Sequence, residues 1–111
     1  MNLVGYDYFT GWPKDDIIFR LSCSIGQYGR YYERVKIGIT KDPERRFNQH
    51  KRQAGWERMI VKYKTSSVKH ANEIEKYFIE RNEWMENIYK GWSNMGESTT
   101  FYVYILLAEK Y

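Results

Sequence analysis

"VKIGITKDPERRFNQH", residues 35–50, reads as a strand that stops at a glycine, turns through a threonine and a proline, and runs into a helix. The strand starts a little earlier. Residues 31–39, YYERVKIGI, alternate apolar and polar, with Val35, Ile37 and Ile39 on one face and Arg34, Lys36 and Gly38 on the other. Asp42 is then the expected N-cap, Pro43 the first helical residue, and Glu44 an acid in the first turn, where the helix dipole favours it. The helix is predicted to run to about Ala54 and stop at Gly55. Its apolar content is thin, Phe47 and Ala54, so it docks on a narrow seam and shows most of its surface.

Outward from this unit, RMIVKYKT (58–65) is the next predicted strand. Ser66 or Ser67 caps a second helix from Val68 to about Trp84, with Ala71, Ile74 and Phe78 at core spacing. KGWSNMGEST (90–99) reads as a loop and TFYVYILLA (100–108) as the final strand. Upstream, DIIFRLSC (16–23) has strand-like β-branched residues, and SIGQYGR (24–30), with two glycines, reads as a hairpin loop. Residues 1–15, rich in aromatics and without a period, are expected to form an arm on a single domain spanning 16–111. The predicted class is α+β: a small antiparallel sheet of three to four strands flanked by helices.

The chain has 111 residues, one Cys and eleven Tyr. Its length suits one domain, and the lone Cys23 excludes an internal disulfide and suits a reducing cytoplasm. No apolar run approaches the roughly 18 residues of a membrane span, and the first residues lack the basic and apolar regions of a signal peptide. The formal charge is +4, and it is concentrated. Residues 41–64 hold eight basic side chains against three acidic ones. Such a segment fits a polyanionic partner, and equally a solvated helix face.

Arg46 and His50, four residues apart, share one face of the first predicted helix. Gly38 in the preceding strand allows another group to approach the backbone closely. On the second helix, Glu75 lies between Ala71 and Ile79 and is expected to be half-buried. A buried carboxylate needs a partner, an Arg such as Arg46 or a cation. An Arg, a His and such a Glu converging on one concave face suit phosphodiester hydrolysis. The Glu would hold one divalent ion, Mg²⁺ or Mn²⁺. The Arg stabilises transition-state charge, and a His or Tyr moves a proton.

Val35-Lys36-Ile37-Gly38, the KDPERR turn, Arg46, His50 and Ala71-x-x-x-Glu75-x-x-x-Ile79 resemble the GIY-YIG nuclease superfamily, in particular a phage and large-virus branch whose second motif reads KIG. The resemblance covers about residues 16–95. It implies a metal-dependent DNA endonuclease with Gly38 as the motif glycine, Arg46 and His50 as catalytic residues, Glu75 as the metal ligand and Asn94 as a late contact to nucleic acid. Two positions depart from the motif. The YIG tyrosine is Lys36, a phosphate-binding side chain, and residues 17–19 read Ile-Ile-Phe in place of GIY. Tyr28, Tyr31 or Tyr32 would then supply a phenol, with Tyr31 as the catalytic candidate. FYVYILL (101–107) also resembles a first GIY strand displaced to the C-terminus, which makes Tyr102 and Tyr104 the other candidates. Arg45, Lys51 and Arg52 are the expected phosphate contacts. DNA specificity would come from the domain, a dimer or a partner. The competing function is a catalytically inactive binding module for nucleic acid, a nucleotide or a protein, with the aromatic arm and the missing motif tyrosines in its favour.

Overall fold

In chain order the protein runs β1 (Val4–Phe9), α1 (Asp15–Tyr31), β2 (Arg34–Thr40), α2 (Pro43–Ala54), β3 (Arg58–Thr65), α3 (Val68–Arg81) and β4 (Phe101–Ala108). The computed structural model describes residues 4–10, 15–82 and 100–109. The class is α+β, as predicted, with four strands in the order β1-β3-β4-β2. β4 is antiparallel to both β2 and β3, but β1 is parallel to β3, so the sheet is mixed rather than antiparallel. Among the described residues, no helix is long and apolar enough to cross a membrane.

The predicted β2–α2 unit forms as its local signals dictate. The Asp42 side chain accepts from the Arg45 N–H at 3.2 Å, a cap worth about 1 kcal/mol. At the other end Gly55 takes the left-handed conformation, φ 70°, and its N–H bonds to the Lys51 carbonyl. Ser67, of the two serines considered, caps α3 by accepting from the His70 N–H. β2 also holds α2 at both ends. The Asp42 N–H donates to Thr40 Oγ1 at 3.1 Å. Arg34, buried, donates to the Ala54 carbonyl at 2.8 Å and stacks over the Trp56 ring at 4.2 Å.

Two readings of the N-terminal third are corrected. Residues 16–30 are not a strand and hairpin but helix α1, whose Ile18, Leu21, Ile25 and Tyr28 make an i, i+3, i+7, i+10 stripe against the core. Burial of that stripe outweighs Gly26 and Gly29 inside the helix, each of which costs about 1 kcal/mol relative to Ala. Residues 4–9, expected in a loose arm, form edge strand β1. Lys62, almost wholly buried, ties β1 to β3 through Asp7 at 3.1 Å.

The sheet separates two cores. Val35, Ile37, Ile39, Val103, Ile105 and Leu107 face α1 and α3, whose Leu21, Ile25, Ala71, Ile74 and Phe78 pack on them. Val4, Met59, Val61, Tyr104, Leu106 and Ala108 face α2 through Phe47 and, just beyond its end, Trp56.

Candidate active site

Gly38 and Tyr104 are register partners in β2 and β4, and both lie on the α2 face. The Tyr104 ring crosses over Gly38 so closely that a Cβ there would overlap the phenol oxygen and the carbon bearing it. The close approach expected of this glycine is therefore made by a tyrosine. α2 lies over the same spot. His50, buried on that helix, places Nε2 2.9 Å from the Tyr104 hydroxyl. Arg46, on the same helix, acts on the phenol electrostatically and lowers its proton affinity. In the imidazole tautomer whose proton sits on Nδ1, Nε2 accepts and the phenol donates to it. Arg46 keeps an exposed position and bonds Gln49 Oε1 at 3.0 Å.

The electrostatics follow from this packing. Burial, then the charges of Arg46 and Lys36, lower the His50 pKa to about 4. His50 is therefore neutral near pH 7 and able to accept a proton. Burial raises the Tyr104 pKa, Arg46 draws it back and Glu75 pushes it up again. The phenol is protonated at rest, between a cation and an imidazole.

Glu75 belongs to the other helix layer, since α3 packs on the face opposite α2. The expected convergence of Arg46, His50 and Glu75 on one face is thus only partial. The charges of both layers act on Tyr104: Arg46 lowers its pKa and Glu75 raises it. β2 is the outer strand of the sheet, and the phenol leans over its glycine toward that edge. Glu75 is 8% exposed, and burial lifts its pKa to about 7. Its Oε1 has no hydrogen-bond partner among the described residues, so the salt bridge to Arg46 weighed from the sequence does not form. An orphaned, desolvated carboxylate oxygen fits a hard cation. Among the described residues no cluster of three or more acidic, His or Cys side chains could hold a metal. With Glu75 as ligand, the site suits a cation that keeps water and takes phosphate oxygens.

The remaining candidates fall outside this group. Tyr31 is 78% exposed at the end of α1, beside Tyr28, Tyr32 and Glu109, and the structure does not bring it to the cluster. Arg45, Lys51 and Arg52 are exposed along α2. Arg45 and Arg46 line a depression of about 330 Å³ with Thr40, Lys41, Asp42 and Gln49. Asn94 lies outside the described residues.

The T5orf172 domain matches residues 23–90. No curated protein and no solved structure matches the chain. The matched segment carries Lys36, Gly38, Arg46, His50 and Glu75 but stops short of β4 and Tyr104.

Proposed function

The chain belongs to the T5orf172 domain family, and from that premise we propose that it is a metal-dependent endonuclease hydrolysing phosphodiester bonds in DNA. The observation that carries this reading is the Tyr104 phenol held across Gly38 and hydrogen-bonded to His50, with Arg46 acting on its charge.

In this mechanism a DNA phosphate settles in the depression beside Arg45 and Arg46, with Lys36 as a further cation. The phosphate's charge offsets those of Arg46 and Lys36, which depress His50, so substrate binding makes the imidazole a better base. Water attacks phosphorus. As its O–P bond forms, its proton passes to Tyr104 Oη and the phenol's own proton passes to His50 Nε2. The P–O bond to the leaving oxygen breaks, and that oxygen takes a proton from solvent. Arg46 stabilises the negative charge accumulating on the phosphoryl oxygens. Glu75 would hold one Mg²⁺ or Mn²⁺, which supplies charge neutralisation at the phosphate when bound.

Arg45, Lys51 and Arg52 bind the DNA backbone in this reading. Charge reversal at each should flatten the dependence of log affinity on log salt by about 0.7–0.9 for every phosphate no longer neutralised. The alternative, a binding module without catalysis, draws on Lys36 standing where the motif has a tyrosine. The deciding experiment is incubation with plasmid and oligonucleotide DNA, with Mg²⁺ or Mn²⁺ and with chelator. Metal-dependent nicking by the protein, greatly slowed in Tyr104→Phe, is expected. Binding without nicking under every condition would leave only the binding module.

A further inference from the structure

On the same sheet face, toward β1, the exposed side chains are aromatic. Tyr6 on β1 pairs with Val61, and Val61 pairs with Tyr104, so Tyr6 stands two strands away from the reactive phenol in one cross-strand row. The adjacent row carries Lys64, Tyr102 and Thr40 on three neighbouring strands. Tyr6 is 47% exposed and Tyr8 39% exposed, and Tyr102 is half-buried. The Lys64 ammonium lies 5.6 Å from the centre of the Tyr8 ring. Tyr6 donates to Glu44 Oε2 at 3.4 Å, which ties its hydroxyl to the first turn of α2 and leaves much of the ring in solvent.

A core has no use for two large rings at this exposure. The rings lie on an edge strand, where an apolar surface left bare invites aggregation. The cations around them, Lys64 at the sheet and Arg45 and Arg46 at the start of α2, give this end of the face the complement of a phosphate chain. Flat π-surfaces in a row beside a basic groove are the elements that bind unpaired bases, each stacked base contributing about 1–3 kcal/mol. A base pair inside a duplex has its faces covered by its neighbours and offers such rings nothing.

We propose that Tyr6 and Tyr8, with Tyr102 and Lys64, form a stacking platform for unpaired bases, so that the protein selects single-stranded or locally melted DNA over intact duplex. The platform names the substrate class of the proposed nuclease and rests on that reading only for its biological sense. Its rows run directly to Tyr104, so bases held there bring their backbone to Arg46.

The test separates stacking from cleavage. Binding is measured in chelator with a single-stranded oligonucleotide containing 2-aminopurine, whose fluorescence is quenched when it stacks, and with its duplex. The wild-type protein is expected to quench the probe and to prefer the single strand. The double variant Tyr6→Ala/Tyr8→Ala should lose quenching and at least about tenfold in single-strand affinity while binding duplex unchanged. Tyr6→Phe/Tyr8→Phe, which keeps both rings, should retain quenching, and melting curves confirm that both variants fold. Undiminished single-strand binding by the alanine variant, or equal wild-type affinity for duplex, overturns the proposal. Quenching that survives while no DNA is cut with Mg²⁺ or Mn²⁺ would sink the nuclease reading and uphold the platform.

Discussion

Tyr104 occupies the space that a side chain at position 38 would need, and this exclusion joins the central strand of the sheet to its edge. Gly38→Ala therefore sets a methyl group against a ring that is 2% exposed and packed under α2. The phenol must move away from His50 or the strands must separate. The expected outcome is a loss of about 1–3 kcal/mol in stability together with loss of cleavage. Urea melts and a nicking assay check it. A variant as stable and active as the parent would show that the overlap is relieved cheaply.

Tyr104→Phe removes one oxygen and keeps the ring. It leaves a buried imidazole nitrogen without its partner, at a cost of about 1–3 kcal/mol. If the phenol relays the proton, cleavage should fall about 10²- to 10⁴-fold with little change in DNA affinity. Parallel losses in affinity and rate would mean that Tyr104 only shapes the surface.

His50 and Glu75 give opposite pH signatures. The folded His50 pKa of about 4 lies below its ordinary 6.5, so its contribution to stability is present above pH 6.5 and is lost as pH falls toward 4. The folded Glu75 pKa of about 7 lies above its ordinary 4.5, so its contribution is present below pH 4.5 and is lost as pH rises toward 7. In chelator and relative to the parent, His50→Gln should stand best near pH 4.5 and fall behind toward 7, whereas Glu75→Gln should gain from pH 4 to 6.5. Denaturant melts across this range read both slopes, and the same slope in the two variants would refute the assignment.

Glu75→Gln also separates roles at fixed pH. Near pH 8 the buried carboxylate is charged in the parent, so the amide should make the metal-free protein more stable, by up to about 3 kcal/mol. Added Mg²⁺ or Mn²⁺ should raise the melting temperature of the parent and not that of the variant, and the variant should bind DNA without cutting it. Cleavage at the parental rate would rule out Glu75 as the metal ligand.

Arg34→Ala should loosen the far end of α2. It removes the hydrogen bond to the Ala54 carbonyl and the stacking on Trp56, for a loss of about 2 kcal/mol. Amide exchange should speed up in the last turn of α2 before it does at Asp42.

The parts of the fold legible in the sequence are those set by neighbours along the chain. Asp42, Pro43 and Gly55 fix α2 by capping chemistry alone, and β3 and β4 stand out by their apolar residues. α1 is misread from sequence because Ile17, Ile18 and Phe19 favour strands and Gly26 suggests a turn, whereas the Ile18–Leu21–Ile25–Tyr28 stripe gains its energy only against the sheet. Nothing within residues 4–9 says that they pair in parallel with β3. In the site, Gly38 announces a close approach, but the approaching group depends on strand register, and only that register decides between Tyr102 and Tyr104.

β4 lies between β2 and β3, yet it is the last of the described strands to appear in the sequence. β2 and β3, close in the chain, share no ladder; each pairs with β4 instead. No tight hairpin among the described strands can therefore nucleate the sheet, and long loops must close before the first long-range pairing is rewarded. Folding should be slow for the chain's size and nearly all-or-none. A fragment confined to residues 23–90 would contain nearly every charged group of the candidate site and lack the strand that seats them, so it should remain without a stable sheet.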